Sequence, residues 1–182
     1  MNTKYSFRFE SRENRRQLPS KLIIARNEPE TAAHVVLKVL AFLLFHRDRL
    51  QMETNLHIEH ISFVPDLIQL DYTLRPALWV ECGDCSVTKL DKLAVKVPEA
   101  EIWIVKKSLV EAQQLLKAME RGGLRKNRYG LIAFDSDLFN EITGLLENRN
   151  EILWYVGSFE PGLMQFDFNS LWFELTFETL RF

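Results

Sequence analysis

The chain has 182 residues, 47% of them hydrophobic, and a formal net charge of −2, which is enough apolar material for one domain with a substantial core. A near-neutral balance lacks the basic excess by which nucleic-acid-binding domains attract phosphates at long range. The longest uninterrupted apolar run, Val39 to Phe45, is far short of a bilayer span, and the first residues lack the apolar stretch of a signal peptide, so a cytoplasmic protein with no membrane association is expected.

Tyr5 to Glu10 alternates apolar with polar residues, and Lys21 to Ala25 is a short β-branched run after Pro19, so both read as strands. The period then changes. From Asn27 to about His46, with Pro29 near the start and apolar residues at Ala33, Val36, Leu37, Leu40, Leu43 and Leu44, the spacing predicts a long, mostly buried helix. His57 to Phe63, Asp66 to Asp71 and Ala77 to Cys82 read as three short strands of an antiparallel meander, separated by Pro65 and by a turn at Arg75-Pro76. Residues 87 to 97 return to helical spacing behind Ser86 as N-cap, with Leu90, Leu93, Ala94 and Val97 on one side and Pro98 as the stop. Glu101 to Lys106 is a strand too apolar for a sheet edge. A helix over 108–120, a strand at Tyr129 to Phe134, a helix over 137–147 and a closing pair of strands, Glu151 to Val156 and Leu163 to Phe177, complete the order. With no repeat and no linker, residues 1–182 read as a single domain, expected as a monomer.

Cys82 and Cys85 form a Cys-x-x-Cys pair ahead of a helix, where the helix dipole can stabilise a thiolate. Strand phase opposes a redox role. Cys82 faces away from Glu81, together with Leu78 and Val80, as a buried packing thiol does, and no disulfide to Cys85 is expected. Structural zinc needs four ligands, and the nearby His57 and His60 fall on opposite faces of a strand and chelate together only in a helical turn, so zinc is not expected. The carboxylates offer other chemistry. Asp66 follows Pro65 at the start of one strand and Glu81 lies on the next, close enough across a hairpin to share magnesium or manganese. Lys89, Lys92 and Lys96, at i, i+3 and i+7 of the following helix, share a face bordering its buried stripe. A Pro-Asp dipeptide and a strand-end glutamate are equally an everyday surface arrangement.

The order and spacing of these pieces resemble the YaeQ family, a branch of the PD-(D/E)xK nuclease superfamily. LIIARNEPET leads into the apolar helix and RLQMETNL follows it; then come VPDLIQLD, LWVECG, a lysine-bearing helix, and an ending that runs from ILWYVG to LWFELTF. The resemblance covers essentially the whole chain. It implies an α/β domain with a mixed β-sheet and flanking helices, built on a restriction endonuclease-like αβββαβ core with added N- and C-terminal strands. It implies Asp66, Glu81 and the backbone carbonyl of Cys82 as metal ligands, Glu30 as the acid supplied by the first helix, and Lys92, with Lys89 as second candidate, as the active-site lysine. His34, one turn after Glu30, reads either as a neighbour of that site or as a satisfied, partly buried histidine. The implied activity is magnesium- or manganese-dependent phosphodiester hydrolysis, with nucleic acid as the partner.

This chain departs from the superfamily at the lysine. Where Glu-x-Lys stands in the pattern it has Glu81-Cys82-Gly83, so the ammonium comes from elsewhere or is absent. The rival reading is a non-catalytic binding or regulatory protein that retains a degenerate nuclease fold. Away from the centre, Lys117, Arg121, Arg125, Lys126 and Arg128 stand against Glu120 alone. They read as a solvated helix end and loop or, through Arg125, Lys126 and Arg128, as a nucleic-acid contact.

Overall fold

A computed structural model describes residues 3–56 and 60–182. The chain's most apolar stretch forms α1 (Ala32–Phe45), whose first turn is capped by the Thr31 hydroxyl accepting the His34 N–H at 3.3 Å. Every residue from Val35 to Phe45 is buried, and a helix that is apolar all round needs cover on every side. The cover comes from β1 (Thr3–Ser11), β2 (Lys21–Arg26), β3 (Gln51–Met52), β4 (Leu67–Leu70), β5 (Pro76–Cys82), β6 (Glu101–Lys106), β7 (Tyr129–Phe134), β8 (Arg149–Phe159), β9 (Gly162–Phe168) and β10 (Leu171–Arg181). Among the described residues these form one mixed sheet in the order β2-β1-β8-β9-β10-β7-β6-β5-β4-β3. The sheet curls around α1, and its inner face, including Phe7, Val80, Trp103, Ile132, Phe166 and Leu175, joins the helix in one core.

Two further helices, α2 (Val87–Lys96) and α3 (Leu109–Arg121), cover the outer face of β4 to β7, where Leu90, Leu93, Ala112 and Met119 meet Ile68, Trp79, Ile102 and Leu131 in a second core. The fourth, α4 (Ser136–Gly144), packs Phe139 and Ile142 into the first core. β10 joins the two parts of the sheet: its first residues pair with β9, Leu171 opposite Phe168, and its last with β7, Phe177 opposite Phe134. No helix among the described residues is long and apolar enough to cross a membrane.

The expected helix, three strands, helix, strand succession is present in α1, β3, β4, β5, α2 and β6, with one strand moved. Of the strand expected at His57 to Phe63, residues 57–59 lie outside the described residues and 60–63 make no ladder. Ile61 and Phe63 pack instead into the outer core, and the β4 edge is taken by β3, Gln51 opposite Ile68. The first helix starts at Ala32, not at Asn27, so Glu30 lies in the turn before it. The expected closing pair is three strands. Asn169 and Ser170, with φ of 49° and 69°, form a two-residue hairpin turn whose twist matches its flanking strands, and this splits the stretch Leu163 to Phe177 into β9 and β10. β6 lies between β5 and β7, away from either edge, as its apolarity predicts.

Candidate metal centre

Strand register assembles the carboxylates. Met52 stands opposite Leu67, and Leu67 opposite Val80. One residue further on, Glu53, Asp66 and Glu81 therefore form a row across the ends of three strands, and the Glu53 N–H donates to the Asp66 carbonyl at 3.0 Å. Glu53 has a φ of 45°, a left-handed conformation that costs a residue with a Cβ about 1–2 kcal/mol and turns it out of the strand.

Lys38 of α1 lies behind this row. Its side chain is fully buried; Nζ donates to Glu30 Oε1 at 2.6 Å and to Glu53 Oε1, and stands 3.7 Å from Asp66 Oδ1. Burial alone would lower the Lys38 pKa, but the bonds to Glu30 and Glu53 and the charge of Asp66 outweigh it and hold the ammonium above its ordinary value. Three carboxylates thus gather on one ammonium. Neither Lys38 nor Glu53 stood out in the sequence; the available signals were a single cation inside the apolar run VVLKVLAFLLF and an acid in RLQMETNL.

The turn before α1 sets Glu30. The Asn27 N–H donates to Glu30 Oε2 at 2.8 Å while the Glu30 N–H returns a bond to the Asn27 carbonyl at 2.6 Å, which leaves Oε1 for Lys38. His34 Nε2 stands 3.6 Å from Asp66 Oδ1 and 4.0 Å from Glu30 Oε1. That nitrogen is buried and has no hydrogen-bond partner. Among the described residues, Glu30, His34 and Asp66 are the set of three whose donor atoms all lie within 4.8 Å of one another. A cleft of about 420 Å³, bordered by Glu30, Thr31, His34, Gly83, Asp84 and Lys107, opens beside them.

Glu81 has a different environment. It is 4% exposed, and its Oε1 accepts from Trp79 Nε1 and from Lys89 Nζ, each at 2.7 Å. Burial pushes its carboxyl pKa up; the Lys89 charge opposes this without cancelling it, and the Asp66 charge adds to the rise. The expected Asp66 and Glu81 pair is thus linked electrostatically, while the donor atoms that cluster with Asp66 come from α1 and the turn before it. Asp66 Oδ2 accepts the Cys82 N–H at 2.7 Å, so the backbone of Cys82 touches the site. Its thiol is buried with Leu78 and Val80, as strand phase predicts, and burial keeps its pKa well up. Cys85 is likewise pushed up to about 12 by burial. Both cysteines are free thiols, and pKa values this high do not suit them to redox exchange.

Lys89 is the lysine that reaches Glu81. Lys92 is exposed, and Lys89 and Lys96 flank the Phe63 ring at 5.6 and 5.5 Å. At position 83, where the resemblance implied a lysine in other members of the superfamily, the backbone itself disfavours a side chain. Gly83 has a φ of 78°, which disfavours any residue with a Cβ, and a Cβ there would meet Leu37 at 3.8 Å and His34 Nδ1 at 3.9 Å. α1, not α2, borders that position. In the basic segment, Arg128 donates to the carbonyls of Val97 at 3.0 Å and Ala100 at 3.3 Å, and Lys126 pairs with Glu120, while Arg125 is exposed.

A curled mixed sheet wrapped on a buried helix, with a row of carboxylates gathered round a lysine at its edge, defines a mixed α/β protein with an ionic centre. The family model described as YaeQ protein matches residues 3–157, and the chain belongs to the YaeQ family. Two solved structures share the fold over its whole length. The YaeQ protein from Xanthomonas axonopodis pv. citri is 20% identical with a TM-score of 0.72, covering 100% of this chain and 99% of that one. The YaeQ protein from Pseudomonas syringae is 18% identical with a TM-score of 0.75, covering 100% and 97%. No curated protein matches the chain.

Proposed function

We propose that the protein is a divalent-metal-dependent phosphodiester hydrolase of the PD-(D/E)xK type, acting on nucleic acid, with its centre rebuilt around Lys38. The observation that carries this reading is the cluster of Glu30, Glu53 and Asp66 on one ammonium, with donor atoms of Glu30, His34 and Asp66 within 4.8 Å of one another beside an open cleft. The succession of α1, β3, β4, β5, α2 and β6, with Pro65-Asp66 ahead of β4 and Glu81 on β5, supports the superfamily assignment.

The residues present fit magnesium or manganese: Glu30 and Asp66 offer hard carboxylate oxygens, and each of those oxygens keeps a lone pair beyond its protein bonds. Such an ion, when bound, lowers the pKa of a bound water and neutralises charge developing on a phosphate. The chain's own groups do the rest. The Cys82 N–H fixes the Asp66 carboxylate. Lys38 donates to Glu30 and Glu53 and holds both carboxylates in place. Glu81, whose pKa is raised by burial, is the group suited to moving a proton, and Lys89 holds it in place. Lys89 takes the role that the family resemblance gave first to Lys92.

Calorimetric titration of manganese and magnesium, combined with cleavage assays on single- and double-stranded oligonucleotides with and without chelator, tests this. Asp66→Asn is expected to abolish both binding and cleavage. The non-catalytic reading has one observation in its favour: Lys38 already pairs with all three carboxylates. Wild-type metal binding no tighter than that of Asp66→Asn would give the cluster to that reading.

A further inference from the structure

We infer that His34 is itself a ligand of the ion, making the centre a mixed nitrogen and oxygen site that prefers manganese to magnesium. This rests on the cation reading above. His34 Nε2 is buried and has no hydrogen-bond partner, although a buried polar atom left unpaired costs about 1–3 kcal/mol. Its distances of 3.6 Å to Asp66 Oδ1 and 4.0 Å to Glu30 Oε1 are too long for hydrogen bonds. They suit a shared ion, because ligands about 2.1 Å from one metal stand roughly 3–4 Å apart.

The ring is also held for the task. His34 belongs to the first turn of α1, where the Thr31 hydroxyl fixes its backbone N–H, and it borders the cleft. On its Nδ1 side the neighbour is Gly83, which has no side chain to fill the space between ring and solvent. Nδ1 therefore remains reachable by water from the cleft, so Nε2 can present its lone pair to the ion while Nδ1 carries the proton.

An imidazole in the set changes which metal is favoured. Magnesium requires a near-ideal octahedron of oxygens and keeps its waters, whereas the later divalent metals bind nitrogen readily. Two carboxylates and one imidazole thus favour manganese over magnesium.

The test is electron spin-echo envelope modulation on the full chain loaded with manganese. The wild type is expected to show nitrogen modulation from a directly bound imidazole, switching to the ¹⁵N pattern in uniformly ¹⁵N-labelled protein. His34→Gln, shown to be folded by circular dichroism, should lose the modulation, bind manganese about tenfold more weakly and bring its manganese-to-magnesium preference close to unity. Bound manganese without nitrogen modulation, or modulation that persists in His34→Gln, overturns the inference and leaves the carboxylate site standing. Failure of the wild type to bind manganese at all overturns the cation reading itself.

Discussion

Two lysines meet carboxylates at this edge of the sheet, in opposite circumstances. Lys38 comes from inside the curl, has no exposed side-chain surface and faces three carboxylates; Lys89 comes from the outer helix layer, is 24% exposed and faces one. Around Lys38 the carboxylates prevail over desolvation and its pKa rises. At Glu81 desolvation prevails over Lys89, so there it is the acid that is raised. One side of the edge therefore gathers three carboxylates on a buried ammonium, while the other holds a carboxyl that keeps its proton to higher pH than usual. On the function proposed above, the first side would hold a cation and the second would handle a proton.

Removing the lysines tests the contrast most severely. Lys38→Ala leaves three carboxylates clustered at a buried site and is expected to cost about 3–5 kcal/mol. Lys89→Ala should cost about 1 kcal/mol, because that pair is partly solvated and Glu81 can take up a proton instead. Urea unfolding of both variants measures the difference, and equal losses would erase the distinction.

A pH series on Glu81→Gln sharpens it. An acid whose folded pKa exceeds its unfolded one contributes stability that is complete below the unfolded pKa and is lost as pH rises through the folded pKa. The variant lacks this dependence. It should gain on the wild type from pH 4 towards neutrality, by about 1.4 kcal/mol for each unit by which the carboxyl is raised. A constant difference across the series would mean that Glu81 titrates normally.

The basic segment offers a smaller contrast of the same kind. Arg128 spends its donors on the carbonyls of Val97 and Ala100 at the end of α2, so Arg128→Gln should cost about 1–2 kcal/mol, whereas Arg125→Gln should change stability by less than about 0.5 kcal/mol. If the protein binds a polyanion here, Arg125→Gln removes about one unit from the log-log salt slope. An unchanged slope leaves this segment as solvated surface.

Periodicity made most of the fold legible: α2, β6, α3 and β7 lie where apolar spacing puts them. It failed where a few residues decide. Asn169 and Ser170 carry no glycine to announce their hairpin, and Ile61 and Phe63 look like a strand although they join the outer core without a ladder. Of the acids that meet at this edge, Asp66 and Glu81 stand out by strand spacing and Glu30 only through the family resemblance. Lys38 and Glu53 do not stand out, because their meeting depends on α1 crossing the end of a two-residue strand, a tertiary fact with no local pattern. The left-handed turn at Gly83 is likewise a backbone feature that the sequence marks only by its glycine.

The place of β1 in the sheet has a consequence for biosynthesis. β1 is made before the other described strands, yet its parallel neighbour β8 begins only at Arg149, and β10, which links the two parts of the sheet, follows all of them. Until those strands leave the ribosome, α1 lacks the cover that Trp154, Phe166, Phe168 and Leu175 provide in the finished core. A nascent chain with its most apolar helix uncovered is a natural client for chaperones and is prone to aggregate. Pairings so distant in sequence also make for slow folding. A chain that ends before β10 is therefore expected to be insoluble, which the soluble fraction of a truncation after Phe168 would check.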